Sequence, residues 1–141
     1  MIINAENIVL GRLSSFAAKQ ALNGNTVQIV NCEKVIISGN RRDIFEKYEK
    51  KQSPGDVVHA PKVYKNSEML VRRTIRGMLP WKRDRGREAY KRIFCYMGIP
   101  EDLKNKETIN LENMNISKLK NLKYIYVKDV SRYLGKEIKD E

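Results

Sequence analysis

The chain has 141 residues, 41% of them hydrophobic, and a formal net charge of +11. That length supports one core and is short for two ordinary domains, so a single domain over residues 1–141 is expected. No apolar run approaches the ~18 residues of a membrane span, and two isolated cysteines with one histidine do not supply the usual zinc-ligand spacings.

Met1-Ile2-Ile3-Asn4 reads as a short strand. A helix follows, with Leu13, Phe16, Ala17, Gln20 and Ala21 on one side, and Asn23-Gly24-Asn25 stops it because a position just past a helix end favours glycine. Thr26 to Val30 and Val35 to Ser38 are β-branched runs of the kind found in strands buried on both faces. Strand, helix and strand in this order make a βαβ unit, whose crossover is expected to be right-handed and whose sheet is expected to be parallel there.

After Ser38-Gly39-Asn40 the spacing of Ile44, Phe45 and Tyr48 predicts a helix, with Glu46 and Lys50 forming an ion pair worth ~0.3 kcal/mol. Gln52 to Asp56 is a turn. Val57 to Val63, interrupted by Pro61, reads as an extended loop or edge segment. Asn66 or Ser67 can cap a second helix, on which Leu70, Val71, Thr74, Ile75 and Met78 share one arc while Arg72, Arg73 and Arg76 fall opposite. Gly77 and Pro80 end it. Ala89, Tyr90, Ile93, Phe94 and Met97 then recur at helical spacing, predicting a helix from Gly86 to Met97 closed by Gly98-Ile99-Pro100. Residues 101–121 are polar and expected to be mostly irregular, anchored by Leu111, Met114, Ile116 and Leu119. Tyr124 to Val127 is a last strand, and Asp129 a cap for a short helix carrying Val130, Tyr133 and Leu134.

The positive charge is concentrated. Residues 62–92 hold eleven Lys/Arg against Glu68, Asp84 and Glu88, whereas residues 1–61 have eight cations against six acids and residues 93–141 nine against eight. A solvated helix face would carry balancing acids. Here arginine also outnumbers lysine seven to four, and its planar fork suits phosphates and stacks on bases. Clustering of this sign favours nucleic acid over a membrane surface, since no long amphipathic anchor is visible. Arg72, Arg73, Arg76, Lys82, Arg83, Arg85 and Arg87 surround a Gly-Met-Leu-Pro bend, with Lys62 upstream. Tyr64 and Trp81 lie in the same region; either can stack on unpaired bases, and Trp81 can equally be a hydrophobic plug.

Enzyme chemistry finds little footing. Leu10-Gly11-Arg12-Leu13-Ser14-Ser15 has one glycine, short of the Gly-x-Gly-x-x-Gly or Walker spacing. Ser14 and Ser15 have no sequence-evident base, and His59 is better read as a backbone or phosphate hydrogen-bond donor than as a catalyst. The N-terminus has no signal-peptide pattern, so Cys32 and Cys95 are expected as reduced structural thiols in a cytoplasmic protein.

The blocks Leu10-Gly11-Arg12-Leu13-Ser14-Ser15, Val35-Ile36-Ile37-Ser38-Gly39-Asn40, Ala60-Pro61, Arg76-Gly77-Met78-Leu79-Pro80, Arg85-Gly86 and Gly98-Ile99-Pro100 together resemble the universal large-subunit ribosomal protein thirteen family, in its archaeal and eukaryotic style. The Arg-Gly-Met-Leu-Pro block followed by Arg-Gly is the most specific of them, and Ala60-Pro61-Lys62-Val63-Tyr64 in a short central segment suits the archaeal style. The resemblance implies a three-layer α/β domain with a small, mostly parallel four-stranded sheet flanked by helices, and a basic helical extension. It implies a structural constituent of the large subunit that binds its ribosomal RNA, helps early assembly, and touches neighbouring ribosomal proteins as a monomer within the particle, with no catalysis and no cofactor. The RNA-contacting set expected is therefore Arg12, His59, Lys62, Arg72, Arg73, Arg76, Trp81, Lys82, Arg83, Arg85 and Arg87. Two other readings stay open on sequence alone, an RNA-binding regulator of messenger RNA and an RNA-modifying enzyme.

Overall fold

The computed structural model describes residues 1–55, 58–59 and 63–135. Strand β1 (Ile2–Asn4), helix α1 (Leu10–Leu22) and strand β2 (Val27–Val30) form the expected opening unit, with β1 and β2 parallel and Ile3 opposite Ile29. Gly24, at φ +96°, turns the chain between α1 and β2, a conformation that side chains with a Cβ resist.

The remaining neighbours of these strands come from segments without a strand signature. Strand β4 (Ile93–Cys95) adds to β2 and strand β5 (Ile109–Asn110) adds to β1, giving a four-stranded parallel sheet in the order β4-β2-β1-β5. The helix expected over Gly86 to Met97 therefore stops early. Helix α4 spans Asp84–Lys91, and the chain straightens into β4 as Val27 N–H donates to the Arg92 carbonyl at 2.9 Å. Ile93, Phe94 and Met97 have helical spacing yet sit on and beyond a strand, and Phe94 and Met97 are exposed.

The run expected to join this sheet does not. Strand β3 (Ile36–Ser38) pairs antiparallel with strand β6 (Tyr124–Tyr126) in a separate two-stranded sheet, touching the first unit through a bridge between Val9 and Ile36. Helix α5 (Val127–Tyr133) begins where β6 ends, with Tyr126 at the capping position and Asp129 inside the first turn, where its charge complements the positive end of the helix dipole without capping. Helix α2 (Arg41–Gln52) meets α5 through stacked Phe45 and Tyr133 rings 4.4 Å apart and carries the Glu46 to Lys50 ion pair at 2.6 Å. Residues 101–121 are irregular apart from β5 and three 3-10 turns.

The main core lies on one face of the sheet. Ile3, Val27 and Ile29 point into it and meet Leu13, Ala17 and Ala21 of α1, together with Val71 and Ile75 of helix α3 (Ser67–Gly77). The opposite face is smaller. Ile2 and Val30, alternating with the first set along their strands, pack with Leu103 and Tyr96. Helices, sheet and this thinner cover make the three-layer α/β arrangement. The edge strands are only three and two residues long, which leaves little open backbone for a foreign strand to pair with.

Helices α3 and α4 are locked by a contact without a side chain. A Cβ on Gly86 would lie 2.2 Å from the Pro80 carbonyl oxygen, a backbone atom that already accepts a hydrogen bond from Arg83 at 3.0 Å and cannot step aside. Gly86→Ala should cost about 1–3 kcal/mol or more, as overpacking does, and thermal unfolding of the pair of proteins measures it. A melting temperature unchanged by this substitution would mean that the bend is loosely packed.

Cys32 and Cys95 are both free thiols, Cys32 buried and Cys95 half-buried. The hydrogen bond with Cys95, followed by burial, pushes the Cys32 thiol well above its usual value. At pH 8 it should therefore stay protonated and unreactive. Iodoacetamide should label Cys95 first in the native chain and both residues after denaturation, read by peptide mass spectrometry. Equal rates at the two positions in the native chain would contradict the buried position of Cys32.

Candidate nucleic-acid interface

Helix α3 starts after Asn66, which holds the capping position but spends its side-chain amide on Glu68, 3.2 Å away. Leu70, Val71 and Ile75 are buried, as their spacing predicts. Met78 is not. It is 42% exposed beyond the last helical turn, with the Ser15 hydroxyl 3.4 Å from its sulfur, and Leu79 takes the buried place instead. Leu79, Pro80, Trp81, Lys82 and Arg83 make the bend before α4.

The three arginines opposite the core do not share one environment. The Arg72 guanidinium lies 4.5 Å from the centre of the Tyr90 ring and that of Arg76 lies 3.9 Å from the centre of Trp81. Trp81 and Tyr90 meet edge to face at 5.2 Å. The Nε atoms of Arg72 and Arg76 are buried without a hydrogen-bond partner in the protein. These two side chains thus cover the aromatic pair, contacts worth about 0.5–2 kcal/mol each depending on solvation. Arg73, on the far flank of α3, is exposed.

Lys82, Arg83, Arg85 and Arg87 are all exposed along the bend and the first turns of α4. Arg87 is committed in part to the protein. It pairs with Asp84 at 3.2 Å and donates to the Lys82 carbonyl at 3.4 Å. Among the described residues no carboxylate approaches Arg73, Lys82, Arg83 or Arg85 within 4.0 Å. Arg92 is structural, donating to the Ala21 carbonyl at the end of α1 at 3.3 Å.

Arg12 belongs to another part of the same basic surface. With Ser15 and Lys19 it follows the exposed stripe of α1, and Ser15 and Lys19 share a groove of about 470 Å³ with Met78 and Arg85. At its other end Arg12 faces a cleft of about 710 Å³ together with Lys118, Lys120 and Lys123, where Asp43 is the acidic member. These three lysines were not in the expected set. Their signal in the sequence is the Lys-x-Lys-x-x-Lys spacing inside an otherwise irregular stretch. His59 lies exposed in a turn, and Lys62 lies outside the described residues, as does most of the segment expected to be extended from Val57 to Val63.

Lys51, on the last turn of α2, also joins the basic side. Burial, then the neighbouring charges of Lys47 and Arg73, hold its ammonium below the usual lysine range. Among the described residues no group of three or more His, Cys, Asp or Glu is placed to hold a metal ion, and no helix is long and apolar enough to cross a membrane. The exposed guanidinium groups of Arg73, Arg83 and Arg85 suit phosphates and bases.

The model of the family described as ribosomal protein L13 matches residues 1–102. The chain is similar to a protein named large ribosomal subunit protein uL13 from Archaeoglobus fulgidus, 43% identical over 95% of this chain and 86% of that one. It is also similar to proteins of the same name from Methanosarcina barkeri, at 41% over 95% of this chain and 96% of the other, and from Methanococcus maripaludis, at 39% over 96% and 97%. With more than two thirds of its length covered by the family model and by each of these relatives, the chain belongs to the ribosomal protein L13 family.

Proposed function

We propose that this protein is a structural constituent of the large ribosomal subunit, in the cytoplasm, that binds large-subunit ribosomal RNA and helps order it early in assembly. The observation that carries the reading is the group of exposed cations with no carboxylate of the described residues within 4.0 Å, Arg73 on α3 and Lys82, Arg83 and Arg85 on the bend and the first turn of α4, whose geometry the Pro80–Gly86 contact fixes. Family membership supports it. The protein's part is geometric and not catalytic: phosphate contacts set the register of RNA segments, while shape and unpaired nucleotides select them. The stripe from Arg12 through Lys19 to Arg85 extends the contact, and Lys118, Lys120 and Lys123 extend it beyond Arg12. Neighbouring ribosomal proteins complete the surroundings of what is a monomer within the particle.

If six to eight phosphates are neutralised, log affinity for a large-subunit RNA fragment should fall against log salt with a slope of about −4 to −7. Filter binding or fluorescence anisotropy across a salt series measures it, and a slope near zero would remove the electrostatic basis of the reading.

The arginines should separate into two classes. Replacing Arg73, Arg83 and Arg85 by glutamine should leave stability within ~0.5 kcal/mol per site, as for surface changes, and weaken RNA binding strongly at moderate salt. Replacing Arg72 and Arg76 by glutamine should lower stability by about 1–3 kcal/mol in total, because the covers of Tyr90 and Trp81 are lost. Melting temperature and RNA affinity measured on both variants decide it. Undiminished binding by the first variant would place the RNA on another face.

A further inference from the structure

Beside the bend, a cleft of about 730 Å³ opens between α2, α3 and the segment at Val63 and Tyr64. That volume falls within the roughly 300 to 1,000 Å³ of ordinary small-ligand sites. Tyr48, Tyr64 and Trp81 contribute aromatic surface to its wall, and Lys51, Arg73 and Arg76 contribute positive charge, with no carboxylate among the described residues of the lining. The combination is that of a ligand with a flat face and a negative charge. The Lys51 ammonium, 5.1 Å from the centre of the Tyr48 ring, is partly desolvated and repelled by Lys47 and Arg73, a repulsion that a bound anion would relieve.

Gly77 supplies an independent observation. It occupies the last turn of α3 and lines this cleft, where its backbone has no positive φ, and among the described residues a Cβ there would meet no atom within 4 Å beyond its chain neighbours and its own helix backbone. Neither conformation nor packing requires glycine at that position. Glycine is the poorest helix former apart from proline, so the fold loses by having it. What it provides is a bare wall at the cleft, where a planar group can approach the backbone.

We propose that this cleft receives one unstacked nucleotide of the bound RNA, its base against the aromatic wall and its phosphate between Lys51 and Arg73. The inference rests on the RNA-binding reading above and goes further, since it converts part of a phosphate-binding surface into a site for a single extruded base. Stacking one base on an aromatic side chain contributes affinity without demanding a particular sequence.

The test uses the full chain and two RNA hairpins, identical except that one carries a single-nucleotide bulge of 2-aminopurine. Trp81 is the only tryptophan in the protein, so its fluorescence reports on the cleft. The bulged hairpin should bind at least ~5-fold tighter than the plain one, the low end of what one stacked base contributes, and should quench Trp81 as 2-aminopurine emission changes. Gly77→Ala should bring the ratio of the two affinities to about one without lowering the melting temperature, and Lys51→Gln should reduce the same ratio. Equal affinities for the two hairpins in the parent protein, with no Trp81 response, would overturn the cleft assignment while leaving RNA binding in place. Failure of both hairpins to bind at low salt would overturn the RNA reading and the cleft with it. A Gly77→Ala protein that keeps the parent's bulge preference would also count against the assignment, because the added methyl would then stand clear of the ligand.

Discussion

The basic surface depends on a steric constraint, the approach of Gly86 to the carbonyl of Pro80. Because nothing projects from Gly86, the first turn of α4 lies directly on the bend after α3 and brings Tyr90 and Trp81 against the outer face of α3. Those rings hold Arg72 and Arg76 in place. The guanidinium groups are thereby ordered before any ligand arrives, which reduces the conformational entropy lost on binding. A pair of basic helices joined by a looser bend would carry the same charge and present it in many arrangements.

Around that ordered centre the charges that are free are those with few partners to lose. Among the described residues Arg73, Lys82, Arg83 and Arg85 stand in solvent without nearby carboxylates, whereas Arg87 and Arg92 are engaged by Asp84, Glu88 and backbone carbonyls. Surface pairs of this kind add little stability. Their effect here is to divide one crowded segment into arginines that shape the protein and arginines that are available to a polyanion. The lowered lysine at position 51 lies on the available side, where it feels Arg73 as well as Lys47.

The sequence makes the opening βαβ unit, the core arc of α3 and the place of the bend readable, because each is specified locally by β-branched runs, by helical spacing or by Gly and Pro. It makes partners much less readable. Ile36 to Ser38 is a strand as its composition predicts, but composition does not say that it pairs with β6 instead of β1 or β2. Ile93, Phe94 and Met97 fit helical spacing as well as they fit a strand, and only the exposed edge of β2 decides between them. Ile109 and Asn110 are both exposed and too few to show a period. At the candidate site, a helical wheel places Arg72 and Arg76 away from the core without revealing that aromatic rings from later in the chain cover them. Lys118, Lys120 and Lys123 escape notice because their link to Arg12 is made only by the fold.

The position of β1 has a consequence for how the molecule is made. Its two neighbours are β2, at residues 27–30, and β5, at residues 109–110, while Asn7 accepts a hydrogen bond from Ile116 and Val35 one from Val127. A chain growing from its N-terminus can pair β1 with β2 almost at once, but at roughly 5–20 residues per second the second edge of β1 waits several seconds for its partner. During that interval the whole cationic segment has already been synthesised beside a sheet that is open on one side. The basic surface therefore exists as a chemical entity before β5 and β6 are available to complete the two sheets.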